Sequence, residues 1–194
     1  MNVIATSDKS RSEVRLEMTS LLEGFEFTAV DYLMPRGLAD SVLTVGSGFE
    51  HAEAGVELVG AEGERRTIRW SQTGFDEGLW VGAGGPTDEG AWVPGVKSVG
   101  VTSWSDRGLG NRIVRVVPAW QEVAPSRYSI WSIRMELTVG AVVVALGERS
   151  FETGQPTYIP DCVLVIFEEE VARLYRSRAS TSSAWADEES PSSE

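Results

Sequence analysis

Two stretches set an acidic pair, a glycine and a tryptophan in the same order: Asp76-Glu77-Gly78-Leu79-Trp80-Val81 and, twelve residues on, Asp88-Glu89-Gly90-Ala91-Trp92-Val93. Carboxylates beside tryptophan bring two chemistries within reach. A pair of acids can cleave a glycosidic bond when the fold holds them at the right separation. Aromatic faces next to negative charge can seat a sugar or an arginine-rich protein surface. Trp104 follows after a further twelve residues without the Asp-Glu-Gly, as if a short unit repeats and then decays. That period is too short for a propeller blade or a helical repeat, and it fits one strand plus one turn.

Other reactive residues are scarce. His51 is the sole histidine, which leaves no multi-histidine metal site. His51-Ala52-Glu53 matches the first half of the zinc-deaminase signature, but the second half needs two cysteines and the chain has only Cys162. A metal site from Glu50, His51 and Glu53 is disfavoured because neighbours on an extended strand point to opposite faces. A solvated loop or edge histidine is expected instead. Cys162 precedes an apolar run and has no visible partner to lower its pKa, so it reads as a buried, inert thiol in a reducing compartment. Gly46-Ser47-Gly48 places His51, and Gly82-Ala83-Gly84 places Thr87, where a dinucleotide loop requires its third glycine. No Walker-type Gly-Lys-Ser/Thr and no Gly-x-Ser-x-Gly elbow is present, and no cofactor is expected.

The repeated Asp-x-Gly-x-Trp core resembles the Asp-box, a hairpin motif of the form Ser/Thr-x-Asp-x-Gly-x-Thr-Trp found in sialidase-like propellers and other β proteins. Each copy here is one residue shorter between glycine and tryptophan, and neither aspartate has Ser or Thr two positions before it. The resemblance implies a structural role, with the aspartate binding turn amides and the tryptophan packed beneath. The residues read alone agree: Asp76 and Asp88 begin turns, Gly78 and Gly90 take positive φ, and Trp80 and Trp92 fill the core. The functional alternative is a platform of Trp80, Trp92 and Trp104 on exposed loops.

Charge narrows the partners. Among 194 residues, 17 basic stand against 29 acidic, a net of −12. Such a surface repels phosphate backbones and attracts basic proteins, so nucleic acid is not expected as a partner. The leading expectation is a non-enzymatic, acidic domain that binds a protein with a basic surface, in the manner of immunity proteins that neutralise a basic toxin domain. Asp76, Glu77, Asp88 and Glu89 would steer that partner, with Trp80, Trp92 and Trp104 as anchors. The alternatives are a carbohydrate-binding module using the tryptophans and a carboxylate-dependent hydrolase. No window reaches the apolar length of a membrane span and residues 1–15 lack a signal-peptide pattern, which points to the cytoplasm.

The elements that must carry these residues are mostly strands. Residues 1–11 read as a disordered start, 12–176 as a single globular domain and 177–194 as a disordered, acidic, serine-rich tail. Within the tail, Trp185 is read as a chance residue, or else as an anchor for another chain. Ser12 is placed as the cap of a short helix through Val14, Leu16, Leu21 and Leu22 to Gly24. Strands follow at 25–29, 42–45 and 56–59, the last turning through 60–64 into an arm at 66–70. Residues 74–110, dense in glycine and tryptophan, are expected to exclude long regular elements. Trp131, Ile133, Met135, Leu137 and Val139 alternate with Ser132, Arg134, Glu136 and Thr138, a strand with one core face and one wet face. After a turn at Gly140, residues 141–146 and 162–167 are apolar strands, 151–160 a loop, and Val171, Leu174 and Tyr175 mark a short helix behind Glu168-Glu169-Glu170. The class is mostly antiparallel β with a short helix at each end.

Overall fold

The computed structural model describes residues 2–3, 9–35, 48–73, 76–84 and 96–186. The fold is mostly β and antiparallel with short helices, as the alternating patterns predict. A six-stranded sheet runs in the order β1 (Asn2–Val3), β6 (Asp76–Ala83), β5 (Arg65–Thr73), β4 (Gly55–Val59), β2 (Ala29–Pro35), β7 (Val96–Val101). A five-stranded sheet runs β3 (Phe49–Glu53), β13 (Val163–Ile166), β10 (Ala141–Leu146), β9 (Arg127–Leu137), β8 (Ile113–Ala124). A two-stranded ribbon pairs β11 (Glu148–Arg149) with β12 (Pro156–Thr157). Leu58, Ile68, Leu79 and Val81 of the first sheet share one core with Val117, Ile133, Met135 and Val144 of the second.

The chain passes between the sheets at a sharp corner. Glu53 (φ +48°) ends β3, Ala54 donates its amide to Leu33 O, and Gly55 (φ +155°) opens β4. A Cβ on Gly55 would stand 2.5 Å from Ile68 O and 2.7 Å from Arg69 Cα, so the strands meet too closely for any side chain there. The hairpin after β4 turns through Gly63 (φ +84°) as expected. Pro118 is tolerated in β8 because that strand lies at a sheet edge.

The first helix, α1 (Arg11–Leu22), is capped by Ser10 and not Ser12. Ser10 Oγ accepts the Glu13 amide while the Glu13 carboxylate accepts the Ser10 amide, a reciprocal box that Ser12, inside the first turn, cannot form. Val14, Met18 and Leu22 make the buried stripe at a spacing of four, and Leu16 stays exposed. Residues 2–3, placed in a disordered start by the sequence, pair with β6.

Two further expectations give way. Within 74–110, β6 is an eight-residue strand paired along its whole length with β5, and Gly78 sits in the ladder opposite Ser71. Positive φ falls at Gly84 and not at Gly78, and Asp76 opens a strand, not a turn. The second face of β9 is dry over its first part: Ser132 is fully buried and Arg134 nearly so, while Glu136 stays half-buried and Thr138, past the end of the strand, is exposed as expected. Its cover is the chain's own continuation. After α3 (Glu169–Leu174), residues 177–186 lie against the sheet, with Ser132 Oγ donating to Ala184 O at 2.7 Å and Trp185 over the Arg134 guanidinium at 4.8 Å. In α3 it is Ala172 that is buried, followed by Tyr175, while Leu174 is 77% exposed. The strand expected at 42–45 and the residues 187–194 lie outside the described residues.

Candidate functional site

The singled-out residues separate in space. Trp104, in α2 (Ser103–Asp106), is 3% exposed, edge-on to Phe27 and Phe167, and donates its indole N–H to Tyr32 Oη at 3.3 Å. Tyr32 in turn donates to Glu50, which also accepts from Ser103. Burial and the adjacent Glu50 carboxylate push the Tyr32 phenol well above its ordinary range. Trp80, 8% exposed, lies on the other side of the six-stranded sheet beneath Arg69, whose guanidinium stands 4.4 Å from the ring centre. Neither ring offers a free face, so these two tryptophans form no platform. Asp76 is buried and paired with Arg127. Asp88, Glu89 and Trp92 lie outside the described residues.

Glu77 stands apart from this group. It lines an open cavity of about 420 Å³ with Gln121, Glu122, Tyr158, Ser177 and Arg178. Gln121 holds the cavity wall together: its amide nitrogen donates toward Glu77 O, Ser129 Oγ and Tyr158 Oη at 3.3, 3.2 and 2.9 Å, and its oxygen accepts from Ser177 Oγ at 2.7 Å. Partial burial, and then repulsion from Asp161, raise the Glu77 carboxyl above its usual range. Tyr158 is raised mainly by burial.

The same negative field reaches Cys162. Its thiol is pushed up to about 12 by burial first, then by Glu53, Asp161 and Glu148. Glu53 Oε2 faces the sulfur at 3.9 Å, and its other oxygen lies 3.0 Å from His51 Nδ1. The His51 contact holds Glu53 below the usual carboxylate range against its burial. His51 Nε2 accepts the Arg149 amide at 3.2 Å, so Nδ1 carries the proton and donates to Glu53. His51 does lie on an edge strand, but its side chain is only 11% exposed, not solvated, because Glu53 and the ribbon enclose it. Glu50 points to the core from the same strand, the alternation that parts it from His51.

The ribbon β11–β12 closes this end of the molecule. Its turn is held by Ser150 N donating to Gln155 O and Gly154 N to Ser150 O, both at 2.9 Å, with Thr153 N donating to Ser150 Oγ. On that turn Phe151 is 99% exposed.

No family model, curated protein or solved structure matches the chain. What the site can do therefore rests on its geometry. Cys162 has an anionic carboxylate at its sulfur where a thiolate needs a cation, with His51 one group farther away. Among the described residues no group of three or more His, Cys, Asp or Glu is placed to hold a metal, and no helix is long and apolar enough to cross a membrane. Of the two repelling acids, Glu77 lines the cavity and Asp161 does not. Among the residues lining the cavity, Glu77 is the one that its sequence context marks. Asp161, Tyr158 and Phe151 lie in an aperiodic stretch, where the only signal is a phenylalanine among turn-forming residues.

Proposed function

We propose that this chain is an acidic protein-binding domain that acts without catalysis on a partner with a basic surface, as an immunity protein does on a basic toxin domain. The observation that carries this reading is Phe151, a fully exposed aromatic on a hydrogen-bonded turn that lies in the chain between Glu148 and Asp161, two acids whose charge reaches the Cys162 thiol. A rigid aromatic loses little freedom on binding and makes an effective anchor. Surrounding carboxylates raise the encounter rate with a cationic surface and lose that effect in salt. Glu77, held above its usual range, is a strained charge that a cation would relieve.

The test starts with the chain as bait in extracts of its host at low and high salt, followed by kinetics with the purified partner. Phe151→Ala should raise the dissociation rate roughly 10- to 100-fold, the weight of a hot-spot truncation. Glu77→Gln should slow association at low salt and leave little difference at high salt. A partner whose binding ignores salt and both substitutions refutes the reading. Glu77→Gln also carries a stability signature. A carboxyl raised in the fold contributes stability below its unfolded pKa and loses it as pH rises through the folded value, so the variant should be more stable than wild type at neutral pH and equal to it in acid. Weaker binding with higher stability is the pattern of a functional charge.

A further inference from the structure

We propose that residues 177–186 form a releasable strap that opens as a unit while the two sheets stay folded. The strap adds no strand to the five-stranded sheet, whose ladder is complete without it. Its hydrogen bonds to the sheet are Ser177 Oγ to Gln121, Glu122 N to Ala179 O, Ser180 Oγ to Trp120 O and Ser132 Oγ to Ala184 O, and its apolar contact with the core is confined to Ala184, Ala186 and Trp185. Water can take over each of these hydrogen bonds on release, so they resist opening far less than an apolar seam would. Ser177, Ser183, Ala184 and Ala186 are the buried side chains, and all four are small.

Both ends are undercut. The cavity of about 420 Å³ is walled at one end by Ser177, Arg178 and Ala179, and a second of about 430 Å³ is walled at the other by Trp185 with Phe167 and Leu137. Trp185 is the latch, its ring within 4.8 Å of the Arg134 and 5.3 Å of the Arg173 guanidinium carbon. Beneath the strap the Arg134 Nε–H is buried without an acceptor, a donor that opening would hydrate. Release would also withdraw Arg178 from the cavity it lines with Glu77 and Glu122, leaving that wall purely acidic in its charge. A segment with few buried apolar groups and replaceable hydrogen bonds belongs to the low-stability end of a fold.

Native-state hydrogen exchange on the whole chain tests this. The amides of Ala184 and Trp185, which donate to Tyr175 O and Ala172 O, should exchange at least 100-fold faster than that of Val144 in the central strand β10, with rates nearly independent of low denaturant. Trp185→Ala should speed the strap amides a further tenfold or more, whereas Ile133→Val, a change in the core that stays folded when the strap opens, should speed Val144 and leave the strap amides unchanged. Ser132→Ala, which removes one anchor without creating a large void, should shift the strap amides in the same direction as Trp185→Ala. Strap and β10 amides exchanging together, with the same denaturant dependence, would overturn the proposal. So would Ile133→Val accelerating both sets equally.

Discussion

Replacing Gln121 by leucine tests the junction on which the acidic end depends. The amide nitrogen has two hydrogens for three acceptors, Glu77 O, Ser129 Oγ and Tyr158 Oη, and the oxygen takes one bond from Ser177, so about three bonds are satisfied at once. Each is worth about 0.5–1.5 kcal/mol net, and leucine recovers part of that through its own burial. Ser129 retains its bond to Glu77 O, which limits the groups that lose a partner to the Tyr158 and Ser177 hydroxyls. The expected loss is about 2–3 kcal/mol, read as a lowered urea midpoint at unchanged slope. The double variant Gln121→Leu with Ser177→Ala should lose about 1 kcal/mol less than the sum of the singles, since the second change removes the stranded donor. A single-variant loss below about 0.5 kcal/mol, or strict additivity, would show that the amide bridges nothing of consequence.

Gly55→Ala should cost at least about 2 kcal/mol, because the added Cβ meets Ile68 O and Arg69 Cα on a backbone already at φ +155°; a thermal melt within a degree of wild type would contradict the corner geometry. Cys162 should alkylate with iodoacetamide at pH 8 at least 100-fold more slowly than an exposed thiol, in keeping with a thiol pushed up to about 12. Glu53→Gln should speed that reaction by removing the charge at the sulfur. The same variant should lose stability at neutral pH, with the deficit closing as pH falls through the lowered folded pKa of Glu53, as for any carboxyl stabilised in its ionised form. A deficit that widens in acid would reverse the assigned sign.

The legible parts of the fold are those with a strict apolar period. Strand β9 announces itself through Trp131, Ile133, Met135 and Leu137, and β10 and β13 through unbroken apolar runs. Where small or special residues intervene, local rules mislead. Asp76-Glu77-Gly78 has turn chemistry, yet the ladder to β5 and the Arg127 pairing of Asp76 hold it extended. Residues 177–186 carry the composition of a disordered segment, since serine and alanine provide no periodic signal, and only Trp185 hints that something must cover it. The wet face expected of β9 and the disorder expected of residues 177–186 share one cause: Ser132 and Arg134 look solvent-facing only while the strap is taken to lie elsewhere.

Counted by sequence, the acids are spread along the chain, and Asp76-Glu77 reads as a single unit. In three dimensions the unit divides. Asp76 is neutralised by Arg127, whereas Glu77 faces a cavity and is repelled by Asp161, a residue 84 positions away. Only this second environment leaves charge available to a partner, because a carboxylate satisfied within its own fold gains little from meeting another cation. Net charge alone therefore does not locate a binding surface. Glu148 and Asp161 lie on either side of the Phe151 turn in sequence and both raise Cys162, so negative charge that reaches a neighbouring side chain flanks, along the chain, the most exposed aromatic among the described residues.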